Sequence, residues 1–355
     1  VLSPCHKKMP LDPNAITVTA PPHSPEDIDP FLYPASPALE EGYLTVSQRH
    51  SLWYATYGNP KGIPLVFLHG GPGAGCHDFV AKLFDPETYY LILLDQRGAG
   101  RSRPWGVLEE NTTQNLICDL EKLRAHLALS KWALTGGSWG STLALAYGQA
   151  HPERCLGFLL RGVYLGDRAA LDHFWYGTRT LFPEAWEKLS CFIPENERSD
   201  LVRAYHKRTN GQNSADQKDA IAALMNFDLT LSFFHITPFE VEKILTKEKN
   251  MVDFVARAFM HYAANDFFLS EGQLLENIGV ISHLPCFIVH SRYDALCRVA
   301  GAYDLFARWP GAHLTIVSEA GHASMEPETV KAMISAGNDL KNCLLERVPL
   351  YKKAL

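Results

Sequence analysis

Short apolar runs bounded by Gly, Pro and Asp recur along this chain and alternate with longer amphipathic segments. That alternation is the strongest constraint on the fold. Strands that are hydrophobic at nearly every position need both faces covered, which parallel sheets with helices on either side provide. The runs at 51–57, 64–68, 89–94, 132–135, 155–160, 285–290 and 314–317 are the expected strands. The expected class is therefore α/β, with a mostly parallel, doubly wound sheet.

Between residues 164 and 283 the texture changes. Helical patterns such as 172–182 and 199–208 take over, and no strong strand signal is present. This block reads as a helical cap inserted into a core formed by residues 31–163 and 284–355. Residues 1–30, with Pro21-Pro22 and Ser24-Pro25, read as an irregular arm.

The 355 residues suffice for one large domain with such an insertion, and a net charge of −6 offers no basic surface for nucleic acid. Eight cysteines without a C-x-x-C pair indicate neither a zinc knuckle nor a disulfide framework. Free, mostly buried thiols in a reducing compartment, the cytoplasm, are expected. Val1 and the Pro-rich opening leave open an organelle reached after loss of a targeting segment. Runs such as 90–94 are too short to cross a bilayer, so no membrane partner is expected.

The segment Gly136-Gly137-Ser138-Trp139-Gly140 stands where an expected strand gives way to a helix from about Ser141. A sharp strand-to-helix turn lifts its central side chain off the sheet, and flanking glycines avoid collisions there. Ser138 then reads as a nucleophile at the positive end of a helix, or merely as that helix's cap. The motif alone does not choose between them.

A serine nucleophile needs a histidine base and a carboxylate to orient it. Asp294 follows the run 285–290, and His322 follows the run 314–317. The order Ser138, Asp294, His322 is the one that doubly wound hydrolases use. A hole for the oxyanion is also required. The loop His69-Gly70-Gly71-Pro72-Gly73-Ala74-Gly75 follows the run 64–68, and the N–H groups of Gly71 and Trp139 are the expected donors. A phosphate loop is disfavoured, because Pro72 lacks a donor and the spacings G-x-x-x-x-G-K-[ST] and G-x-G-x-x-G are missing. In residues 95–102, DQRGAGRS, the charged pair is expected to brace the loops, and Trp139 to wall the pocket. The other histidines lack metal-ligand spacing, so neither metal nor cofactor is expected.

HGGPGAG (69–75), DQRGAGRS (95–102), GGSWGSTLALAY (136–147), HPER (151–154), LLRGVYL (159–165), HSRYD (290–294) and AGH (320–322) resemble the proline iminopeptidase (prolyl aminopeptidase) family over residues 31–339. The resemblance implies the α/β-hydrolase fold and a serine peptidase, without cofactor, that removes N-terminal proline from short peptides. It also implies substrate-binding positions. A family glutamate that holds the free amino group aligns with Asp228, which keeps the charge on a shorter arm. A second aligns with Phe259, where the charge is lost, and a family aromatic is replaced by Ala263. Tyr164 and Phe174 fall where the family lines its proline pocket.

The expected reaction is release of N-terminal proline, or a small residue, through an acyl-enzyme. An esterase or amidase with a rebuilt pocket is the alternative that Phe259 and Ala263 suggest. A non-catalytic binding protein on the same fold is a third reading. The expected partner is a short peptide or a small amide or ester, and no oligomeric state is indicated.

Overall fold

The computed structural model describes residues 28–347, so the expected arm lies almost wholly outside the described residues. One sheet of eight strands has the order β1-β2-β4-β3-β5-β6-β7-β8. The strands are β1 Glu40–Thr45, β2 Ser51–Gly58, β3 Ile63–Leu68, β4 Tyr89–Leu94, β5 Trp132–Ser138, β6 Cys155–Val163, β7 Cys286–Ser291 and β8 Ala312–Val317. β2 runs antiparallel to β1 and β4, and every neighbouring pair from β4 to β8 is parallel.

Seven of these strands stand where apolar runs predict them. Alternate side chains explain why those runs are continuous. Val66 and Leu68, Ile92 and Leu94, Leu134, Leu160 and Ile288 enter one core, whereas Leu65, Leu91 and Leu93, Ala133, Leu159 and Val289 enter the other. Both faces are thus dry. β1 has no such signal, because it is an edge strand whose EEGYLT side chains are exposed or half-buried.

Helices α1 Thr113–His126 and α2 Trp139–Ala150 precede an all-helical block of α3 Arg168–Asp172, α4 Pro183–Phe192, α5 Leu201–Thr209, α6 Ser214–Ser232, α7 Pro238–Lys247, α8 Lys249–Ala263 and α9 Gln273–Glu276. α10 Val299–Ala307 and α11 Pro327–Arg347 follow. The helix expected over 172–182 is instead broken. α3 ends at Asp172 and passes into a π-turn, His173–Gly177, then a 3-10 turn, Thr178–Thr180. Successive residues Phe174 and Trp175 are both buried there, which accounts for the loss of regular spacing.

Among the described residues seven cysteines are free, but only Cys155, Cys286 and Cys297 are buried, fewer than expected. No helix among the described residues is long and apolar enough to cross a membrane. The parallel strands end at one edge of the sheet, at Leu68, Leu94, Ser138, Val163, Ser291 and Val317. Loops leaving such an edge are where open α/β sheets bind ligands.

Candidate active site

Ser138 closes β5 and immediately precedes α2, two residues earlier than the expected helix start. Its backbone has φ 56° and ψ −129°, a conformation costing roughly 1–3 kcal/mol for a non-glycine residue. The neighbouring glycines permit it. A Cβ on Gly136 would stand 2.6 Å from the Gly140 carbonyl oxygen, and one on Gly140 would collide with that of Leu68. The Ser138 hydroxyl makes no helix-capping bond. Its carbonyl instead accepts from Ser141 Oγ at 2.6 Å, which removes the reading of Ser138 as a mere cap and leaves the hydroxyl facing a cavity.

Asp294 lies three residues past β7 and His322 five past β8, and the structure brings them together. His322 Nδ1 lies 2.8 Å from Asp294 Oδ2. Asp294 Oδ1 accepts from the N–H groups of Leu296 at 3.0 Å and Cys297 at 2.7 Å. Burial pushes the Asp294 pKa up, but His322 and these donors outweigh it, and the carboxyl is held below its usual range. Gly162 of β6 makes room for the pair, since a Cβ there would come within 3.3 Å of both Asp294 Oδ2 and His322 Cε1. His322 and Ser138 line the same cavity.

The loop carrying His322 is pinned from three sides. Arg161 Nη1 donates to the His322 carbonyl at 2.5 Å. Ala323 N donates to the Ser232 carbonyl at 2.7 Å. The buried Glu326 accepts from Gly321 N at 2.5 Å and from Phe234 N at 2.6 Å, tying the loop to the end of α6.

The loop 69–75 lies against the elbow: a Cβ on Gly70 would come 3.3 Å from Ser138 Cβ. Gly71 and Trp139 line one small cavity with Ser138, and neither N–H donates to a loop acceptor among the described residues. Asp95 braces this region by accepting from Cys76 N at 2.6 Å and Arg101 Nε at 3.0 Å. Arg97 turns away to Asp119, at 2.6 and 2.9 Å. Trp139 is buried, with Nε1 donating to Gln96 Oε1 at 2.8 Å.

Two cavities meet at Ser138. The larger, about 540 Å³, extends along the sheet edge past His77, Met325 and Met333. The smaller, about 40 Å³, is walled by Trp139, Tyr164, Phe174, Phe259 and Phe267. Asp228 of α6 lines both and is the one acid among the lining residues of either.

The alpha/beta hydrolase fold family matches residues 63–329. A probable proline iminopeptidase of Leptolyngbya boryana is 42% identical over 307 residues, covering 86% of this chain and 95% of the relative. A proline iminopeptidase of Arabidopsis thaliana is 42% identical over 313 residues, 87% of this chain and 82% of the relative. The chain belongs to the proline iminopeptidase family. Among solved structures, an esterase from Exiguobacterium antarcticum superposes with a TM-score of 0.59 at 18% identity, covering 85% of this chain and all (100%) of the other. The proline iminopeptidase of Mycobacterium smegmatis gives 0.54 at 18%, covering 87% and 100%. At these identities the superpositions speak for the α/β-hydrolase fold alone.

The wall of the smaller cavity in this proline iminopeptidase family member is aromatic. Phe259, where the resemblance implies a second glutamate, packs against Phe174 at a ring-centroid separation of 5.3 Å, and Phe174 meets Phe227 at 5.6 Å. Tyr164 meets Phe267 edge-on at 5.1 Å. Ala263 is buried. Burial raises the Asp228 pKa to about 6, partly offset by His322 and Ser232.

Four residues around Ser138 escape sequence reasoning: Phe267, Leu296, Cys297 and Arg161. Phe267 comes from a turn in which Asp266, Phe267 and Phe268 have φ of 49°, 53° and 54°, an unusual run of left-handed residues that no glycine announces. Leu296 and Cys297 follow Asp294, and burial pushes the Cys297 thiol well up. Asp294, Cys297 and His322 offer donor atoms within 4.8 Å of one another, but two of these groups are already bonded to each other.

Proposed function

We propose that the protein is a serine aminopeptidase that releases an N-terminal proline, or a similarly compact residue, from short peptides through an acyl-enzyme at Ser138. The observation that carries this reading is the meeting of the two cavities at Ser138, with Asp228 as their shared acid. An N-terminal ammonium bound at Asp228 sets the acyl residue in the small aromatic slot, and the rest of the peptide leaves through the larger cavity. The helical block supplies Asp228, Phe174, Phe259 and Phe267 to the wall of the slot, and the slot's small size, about 40 Å³, favours a compact acyl residue.

Each residue then has one task. Asp294 holds the Nδ1 proton of His322, so Nε2 is the base. His322 takes the Ser138 proton as the hydroxyl attacks the prolyl carbonyl, and returns it to the leaving amine. The N–H groups of Gly71 and Trp139 receive the developing oxyanion, and the N-terminus of α2 adds its positive end. Water then attacks the acyl-enzyme with His322 again as base. The family likeness to proline iminopeptidases supports the choice of amide over ester.

The deciding comparison is kcat/KM for prolyl-naphthylamide, alanyl-naphthylamide and a short acyl ester without an amino group. A proline amide preferred over both supports the proposal. An ester turned over with no proline release assigns the site to an esterase.

A further inference from the structure

Arg161 is the one arginine or lysine among the residues that line the larger cavity, and the reaction above gives it no chemical step. It lies on β6 beside Gly137 of the elbow strand. Its guanidinium is close enough that a Cβ on Gly137 would stand 2.5 Å from Nη2 and 2.6 Å from Nε. Nη1 is anchored on the His322 carbonyl at 2.5 Å. Nε and Nη2 find no acceptor among the described residues, and no carboxylate there forms an ion pair with the group.

The two acids whose fields reach it are committed elsewhere. Asp294 serves His322 and the Leu296 and Cys297 amides, and Glu326 serves Gly321 and Phe234. Arginine keeps its charge in such a place, so the half-buried cation with spare donors is suited to a bound anion. Burial without one is costly, and a planar carboxylate matches the guanidinium fork. Asp228, which lines the same cavity, carries the other sign.

The position of that anion follows from the reaction. The leaving nitrogen must reach His322 to collect its proton, and in a dipeptide the free carboxylate is one carbon removed from that nitrogen. Arg161 grips His322's own carbonyl, so it stands on the same side. We propose that Arg161 binds the C-terminal carboxylate of the residue after the scissile bond, making zwitterionic dipeptides the preferred substrates. The proposal rests on the aminopeptidase reading of the same site. Asp228 takes the ammonium and Arg161 the carboxylate, and the peptide is oriented by its two poles.

The test is kcat/KM for Pro-Ala against Pro-Ala amide, in the parent enzyme and in Arg161→Gln and Arg161→Lys. The parent should favour the free acid by about tenfold or more, as a charge-assisted hydrogen bond allows. Arg161→Gln should bring the ratio close to one, and Arg161→Lys should retain part of it. Damage transmitted through the His322 loop slows both substrates alike and leaves the ratio unmoved. A parent ratio near one, or a ratio that survives Arg161→Gln, overturns the proposal while leaving aminopeptidase activity in place. Turnover of neither peptide overturns both readings. If the glutamine variant does not fold, the parent ratio and the lysine variant still decide.

Discussion

Asp228 joins sequence to chemistry at the scale of one residue. Its carboxyl is half-buried between apolar walls, and desolvation raises its pKa from 3.8 to about 6, while His322 and Ser232 pull the other way. The folded chain therefore holds this proton over a pH interval in which the unfolded chain has released it. Folding stability contributed by this site is fully present below about pH 4 and is lost as pH rises through about 6. At pH 8 the ionised carboxylate costs at most about 3 kcal/mol, less for whatever water the cavity admits. Asp228→Asn should thus be more stable than the parent in urea unfolding at pH 8, with the gain gone at pH 4. The same variant should raise KM for prolyl-naphthylamide while sparing an ester without an amino group. An asparagine variant less stable at pH 8 would contradict this account of the residue. Function retained at the expense of stability is a common feature of binding sites.

The left-handed turn at 266–268 is another local strain near the site. Thr113 Oγ donates to the Phe267 carbonyl and Gln114 Nε2 to that of Phe268, each at 2.5 Å, so α1 holds the turn that aims Phe267 into the slot.

Among the elements, α6, which carries Asp228, is joined directly to the loop that carries His322, so the proposed recognition residue and the proposed base share one junction. Asp228 lies one turn before Ser232, whose carbonyl accepts from Ala323 N. Glu326 spans the two segments, and a Cβ on Gly321 would come 2.6 Å from Phe234 N, so they pack without a gap. Glu326→Ala strands two N–H groups, and should destabilise the protein by about 2 kcal/mol while lowering kcat/KM for amide and ester alike. Unfolding in urea and the two assays measure this. Full stability and activity in Glu326→Ala would show that the junction holds without its carboxylate. The sequence shows the partners AGH and the Asp228 segment, but not that they touch: the contact joins residues 92 positions apart through a side chain with no distinctive neighbours. The elbow is different, since its glycines are demanded by backbone contacts within a few residues and with the adjoining strand.

Across the whole molecule, what was legible follows burial. Strands covered on both faces announce themselves by continuous apolar runs, and the order of Ser138, Asp294 and His322 at strand ends is legible because the parallel sheet gathers those ends at one edge. The exposed strand β1 carries no such pattern. The π-turn after α3 hides behind an ordinary helical composition. Arg161 looks like any arginine at a strand end until the fold places it in a cavity with no carboxylate partner among the described residues. The eight-stranded sheet thus supplies a rigid edge, and the helical block supplies Asp228, Phe174, Phe259 and Phe267.

The proposed relay from Asp294 through His322 to Ser138 carries the whole reading. Its most direct measurement is peptide mapping by mass spectrometry after treatment with a fluorophosphonate, with residual turnover followed in parallel. One phosphonyl group on Ser138, accumulating in step with loss of activity and absent from a Ser138→Ala variant that is folded and inert, is the predicted result. Activity lost with Ser138 unmodified, or substantial turnover by the folded alanine variant, would contradict it.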